Sequence, residues 1–117
     1  MKKKQKTNSE NYLERVPIHN PYIMWEKAQD GSVTLKIENT GLFNIIAQKI
    51  FRKPRYSYVH LDSTGSFLWP LIDGEKNILK LSELLKDEFG EQADPLYERI
   101  SKFFQILSSY NFIIFKK

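Results

Sequence analysis

The sequence predicts an α+β chain: a three-stranded antiparallel sheet followed by three helices, with an extra short helix inserted between the second and third strands. Three observations predict it. "VTLKIE", residues 33 to 38, alternates strictly between apolar and polar and follows an Asp30-Gly31 turn, the period and punctuation of a hairpin. "LFNIIAQKIF" changes period and places Phe43, Ile46, Ala47, Ile50 and Phe51 on one helical face. Beyond Ser63 the apolar spacing stays helical through three segments separated by Gly74 and Gly90.

Taken in order, residues 1 to 11 read as a disordered basic tail and residues 12 to 117 as a single domain. Pro17 and Pro21 keep "NYLERVPIHNPYIMWEK" extended up to a first strand at about Tyr22 to Lys27. The second strand sets Val33, Leu35 and Ile37 on one face and Thr34, Lys36 and Glu38 on the other. The inserted helix, residues 42 to 51, has Asn39 or Thr40 at its cap and Lys49, Arg52 and Lys53 at its end, and Pro54 stops it. "YSYVHLD" is the third strand, with Val59 and Leu61 facing one way and Tyr56, Tyr58 and His60 the other. Asp62 or Ser63 caps a helix running through Phe67, Leu68, Trp69, Leu71 and Ile72, kept short or kinked by Pro70.

The second of the three helices sets Ile78, Leu81, Leu84 and Leu85 on one face, with Gly90 as its stop. The third starts at an Asp94 cap with Pro95 in its first turn. Its apolar arc centres on Leu96, Ile100 and Leu107. Tyr97 and Phe104 lie on one flank, and Phe103, Ile106 and Tyr110 on the other. That arc is wider than one packing face needs, which fits either a helix wedged between the sheet and the other helices or a helix with one flank lining a groove. "NFIIF" closes the chain as a short strand or an extended tail, apolar enough to pair with an open sheet edge.

Composition narrows the function. The net charge of +4 is the charge of Lys2, Lys3, Lys4 and Lys6; the rest carries 14 basic and 14 acidic residues. A nucleic-acid binder concentrates positive charge on its folded body, whereas this excess sits on the tail. The absence of cysteine removes disulfides, thiolate metal sites and cysteine nucleophiles. His19 and His60 show no metal-ligand spacing, and "STGS" lacks the spacing of a phosphate loop. No apolar run reaches the ~20 residues of a membrane span, and the basic start lacks the apolar stretch of a signal peptide. A cytoplasmic, non-catalytic protein without metal, nucleotide or flavin is expected, monomeric or weakly dimeric.

The order of elements resembles the PqqD-like family, and the resemblance is carried by "VHLDSTGSFLWPLIDGEKNILKLSELLKDEFG" and "PLYERISKFFQILSSYNFI". The shared features are a strand ending in "LD", two residues and a Gly, an apolar helix with Trp ending in "DG", an "I..L...L...FG" helix, and a last helix with an apolar end. The family usually joins its second and third strands tightly, whereas here a helix intervenes. The resemblance implies a winged-helix-like fold acting as a recognition element for ribosomally made, modified peptides. Such a protein captures a precursor's leader peptide by β-augmentation and hands it to a modifying enzyme, often a radical SAM protein. It also implies the site. The leader lies along the third strand at Tyr56, Tyr58, Val59, His60 and Leu61, and Arg99, Lys102, Phe103 and Ile106 of the third helix form the wall. Two other readings fit parts of the pattern: a winged-helix DNA-binding protein, and a scaffold or oligomerisation module. For DNA the recognition helix would offer only Arg99 and Lys102 as cations, beside Asp94 and Glu98.

Overall fold

The computed structural model describes residues 12–38 and 56–117. The basic tail and the inserted helix with its Phe43, Ile46, Ala47, Ile50 and Phe51 stripe lie outside the described residues. The fold is α+β, with a three-stranded antiparallel sheet and several helices. Its elements are β1 (Pro17–His19), β2 (Met24–Lys27), β3 (Val33–Glu38), β4 (Tyr56–His60), α1 (Ser63–Leu68), α2 (Ile78–Phe89), α3 (Leu96–Ser109) and β5 (Ile113–Phe115). Short 3-10 turns follow α1 and α2, at Trp69–Leu71 and Gly90–Ala93. The chain divides into two compact units, Pro21–Ser66 and Phe67–Lys117 with the segment ending at Asn20.

The first unit is the sheet β2-β3-β4. Its first hairpin turns at Gly31, whose φ of +92° is open to glycine. The Asp30 carboxylate accepts from the Ser32 N–H at 2.9 Å and from its hydroxyl at 2.7 Å, an Asx-type lock on the turn. β2 begins at Met24 rather than at Tyr22, because Pro21 and Tyr22 form a turn and Tyr22 stands exposed. Val33 and Leu35 are wholly buried on the inner face, as the alternation of β3 requires. After β4 the chain turns a corner built from polar groups. Asp62 accepts the Gly65 N–H at 2.9 Å and so caps α1. The buried Ser66 hydroxyl accepts from the Val33 N–H at 2.9 Å and donates to the Leu61 carbonyl at 3.1 Å.

The second unit is mainly helical. α1 ends in the 3-10 turn around Pro70, which has no N–H to continue an α-helix. Asn77 caps α2 by accepting the Lys80 N–H at 2.8 Å, and Gly90, at φ +60°, ends it. Ile78, Leu81 and Leu85 are buried, with Leu84 at the margin of the stripe. The cap expected at Asp94 does not form. Its carboxylate instead takes two bonds from the Lys86 ammonium, each 2.9 Å, and Pro95 stands at the cap position without a side-chain bond. A charged donor outcompetes neutral backbone N–H groups for that carboxylate. The buried centre of α3 is Ile100, Phe104 and Leu107, rotated toward Phe104, which the spacing alone puts on a flank.

Sequence suggests only an extended lead-in before the first hairpin, yet β1 pairs antiparallel with β5, Pro17 opposite Phe115 and His19 opposite Ile113. The C-terminal strand therefore closes on β1, giving a two-stranded sheet in addition to the expected three-stranded one. Pro17 and Ile113 share its buried face, while Ile114 points outward. The helical turn at residues 12–14 supports the pairing. Tyr12 meets Phe115 edge-on at 5.9 Å, and the Arg15 guanidinium lies 4.8 Å over the same ring.

Candidate functional site: the β4 edge and a flank of the last helix

The hydrogen-bond register decides what β4 offers. The Leu61 N–H donates to the Val33 carbonyl at 2.9 Å, so Val33 and Leu61 stand at a hydrogen-bonding position of the ladder, the Ser66 hydroxyl bridging the Val33 N–H and the Leu61 carbonyl. Bonded pairs in an antiparallel ladder fall on alternate residues; those that follow here are Leu35 with Val59 and Ile37 with Ser57. The peptide groups of Tyr56, Tyr58 and His60 are then directed away from β3. Among the described residues no strand pairs with β4 on that side. An edge of this kind is a template for another chain.

The side chains follow the same alternation. Tyr56, Tyr58 and His60 share the outward face with Met24, Glu26, Thr34, Lys36 and Glu38, whereas Val59 and Leu61 turn to the inner side. Tyr58 is 57% exposed. His60 is exposed and shares a 2.9 Å hydrogen bond with the Thr34 hydroxyl across the strand pair. The Lys36 ammonium lies 4.3 Å over the Tyr56 ring, a cation–π contact. Met24, Trp25, Glu26, Thr34, Lys36 and Tyr58 line a concavity of about 250 Å³ on this sheet.

The remaining sequence-derived residues lie on α3. At 100° per residue, Arg99, Lys102, Phe103 and Ile106 fall on one flank, turned away from Ile100, Phe104 and Leu107. Ile106 is 46% exposed, and Phe103 is half-buried with its ring edge-on to Phe104 at 5.1 Å. Arg99 and Lys102 are exposed, and the Arg99 guanidinium donates to the Gln92 carbonyl. Tyr110 belongs to the same flank, exposed and stacked at 5.5 Å on Phe112. The nine residues thus form two groups, five at β4 in the sheet unit and four on α3 in the helical unit.

Sequence reasoning passed over Lys36 and Tyr110 as site residues, although their strand and helix periods already place them on these two faces. Among the described residues no group of three His, Asp or Glu side chains is placed to hold a metal ion. No described helix is long and apolar enough to cross a membrane.

One family model, described as coenzyme PQQ synthesis protein D (PqqD), matches residues 50–113. That span contains β4, α1, α2, α3 and the first residue of β5. No curated protein and no solved structure matches the chain.

Proposed function

The chain belongs to the PqqD family, and from that membership we propose that it captures the leader of a ribosomally made precursor peptide and presents it to a modifying enzyme. Family membership points to a peptide-binding, partner role in the biosynthesis of modified peptides, and proteins of this family are non-catalytic accessories. The observation that carries the finer reading is the outward direction of the Tyr56, Tyr58 and His60 peptide groups on an edge strand. Backbone bonds to that edge supply affinity, and side-chain surfaces on either hand supply register. Val59 and Leu61 face the inner side of an added strand. The α3 flank of Arg99, Lys102, Phe103 and Ile106 is the second peptide-contacting surface of the proposal, tested by its own variants.

In this reading the domain is winged-helix-like, its enzyme partner is of the radical SAM type, and it works in the cytoplasm as a monomer or weak dimer. It needs no metal, cofactor, nucleic acid or membrane.

A random twelve-residue peptide display library, selected against the full chain, supplies ligands for the test. Amide-shift mapping with a selected peptide should move Tyr56, Tyr58 and His60. Tyr58→Pro deletes an edge-directed N–H while leaving the β3–β4 ladder its bonds, and binding should fall at least about tenfold. A selection that enriches nothing, or shifts that leave β4 untouched, would defeat strand addition at this edge.

A further inference from the structure

We propose that the β1–β5 end of the helical unit is a docking surface for an acidic segment of a partner protein, and that it operates whatever β4 binds. β1 and β5 come from opposite ends of the sequence, and their pairing sets Arg15 beside Lys116 and Lys117. With Glu14 and Val16 these residues line an open cleft of about 370 Å³. The pairing gathers charge as well as strands. Residues 1 to 16 with 116 and 117 hold seven basic and two acidic side chains, whereas the other 99 residues hold 11 and 12. The positive charge of the chain therefore belongs to this end, and the rest is nearly neutral. Lys6 is six residues from Tyr12, at most ~20 Å of extended chain, and Tyr12 itself packs on Phe115 of β5.

The cations of the cleft are held in place without being neutralised. The Arg15 guanidinium lies 4.8 Å over the Phe115 ring, a contact that keeps its charge. The Lys116 N–H donates to the Val16 carbonyl at 2.8 Å, and its ammonium to the Gly74 carbonyl at 3.2 Å, an uncharged partner. Asp73, the acid next to Gly74, is engaged by Lys76 at 2.6 Å. Among the described residues no carboxylate forms an ion pair with Arg15, Lys116 or Lys117. Glu14 lines the same cleft and sets the class of anion. A segment with separate carboxylates directs them to the three cations and turns a neutral residue to Glu14, whereas a nucleic acid brings a phosphate at every step. Single-stranded nucleic acid also gains from stacking its bases on aromatic rings. The ring at this cleft, Phe115, already carries Arg15 on its face and Tyr12 at its edge. Attraction of this kind speeds encounter and orients the partner.

Fluorescence anisotropy with a labelled octaglutamate peptide, on the full chain, reads the attraction. Arg15→Glu with Lys116→Glu should weaken binding at least about tenfold at ~50 mM salt, and removing residues 1 to 10 should weaken it further. Lys27→Glu with Lys80→Glu makes the same change in net charge elsewhere and should cost less than about threefold, because salt screens distant charges. Arg15→Gln with Lys117→Gln removes charge without reversing it and should cost about two- to fivefold, which keeps the test intact if the reversed pair fails to fold. Amide shifts with octaglutamate should centre on residues 14 to 16 and 116 to 117. Equal losses from the two reversed pairs, or shifts centred elsewhere, would overturn the site. Binding to phosphatidylserine vesicles or to single-stranded DNA of matched charge, in preference to the peptide, would overturn the choice of an acidic protein segment.

Discussion

At the scale of single residues, His19 couples the fold to pH. Its ring stacks on Trp69 with centroids 4.1 Å apart, and Nε2 donates to the Trp69 carbonyl at 2.8 Å. Burial holds its pKa below the ordinary 6.5, with the backbone bond opposing in part. Between that lowered value and 6.5 the unfolded chain binds more protons than the folded one, so stability rises with pH there. The contribution of neutral His19 is complete above 6.5 and is lost as pH falls through the folded pKa. Urea unfolding at pH 7.5 and 5.5 should show a larger loss for the native chain than for His19→Gln. Equal losses would mean that another group carries the dependence. Asp73 is shifted the same way by attraction rather than by burial: bonds from Lys76 and from the Glu75 and Lys76 N–H groups hold its carboxyl well below the usual range, so its contribution too is lost as pH falls. It is exposed, and solvent screening leaves its share small.

At the scale of elements, α3 divides its labour between two faces. Phe104→Ala empties a wholly buried site and should cost roughly 3–5 kcal/mol in denaturant unfolding. Ile106→Ser changes an exposed flank and should cost less than about 1 kcal/mol. For peptide binding the order should reverse at the flank: Phe103→Ala and Ile106→Ser should each weaken a selected peptide about tenfold or more while secondary structure persists. If Ile106→Ser left binding intact, the flank would have no part in recognition. The flank was legible from helical periodicity, and the β4 edge residues from alternation, because both depend on neighbours a few residues apart. That β4 is the last strand of the sheet among the described residues was not legible, since strand order is set by pairing between distant segments.

At the scale of the whole molecule, salt separates recognition of a peptide from recognition of DNA. The net charge of the chain is that of four lysines among its first six residues. A protein resting on several phosphate contacts loses affinity by orders of magnitude between ~50 and ~200 mM salt. Binding of a strand-added peptide should change less than about fivefold over that range, because backbone bonds and apolar contacts are barely screened. Fluorescence anisotropy with a selected peptide and with duplex DNA reads both, on the full chain and on one lacking residues 1 to 10. Tight duplex binding by the shortened chain would favour the winged-helix DNA reading.

The amino-acid sequence by itself determined the local elements: the Asp30-Gly31 hairpin, the β4 alternation, the break at Pro70, and three helices separated by Gly74 and Gly90. Each follows from backbone preferences and apolar spacing within a few residues, which any window of the chain contains. Tertiary structure alone decided the pairing of β1 with β5, the seat of His19 on a tryptophan fifty positions away, and the placing of the Lys36 ammonium over Tyr56. It also diverted Asp94 from its helix cap to Lys86. Those outcomes depend on which distant groups meet when the apolar faces are buried, and no local period records that choice.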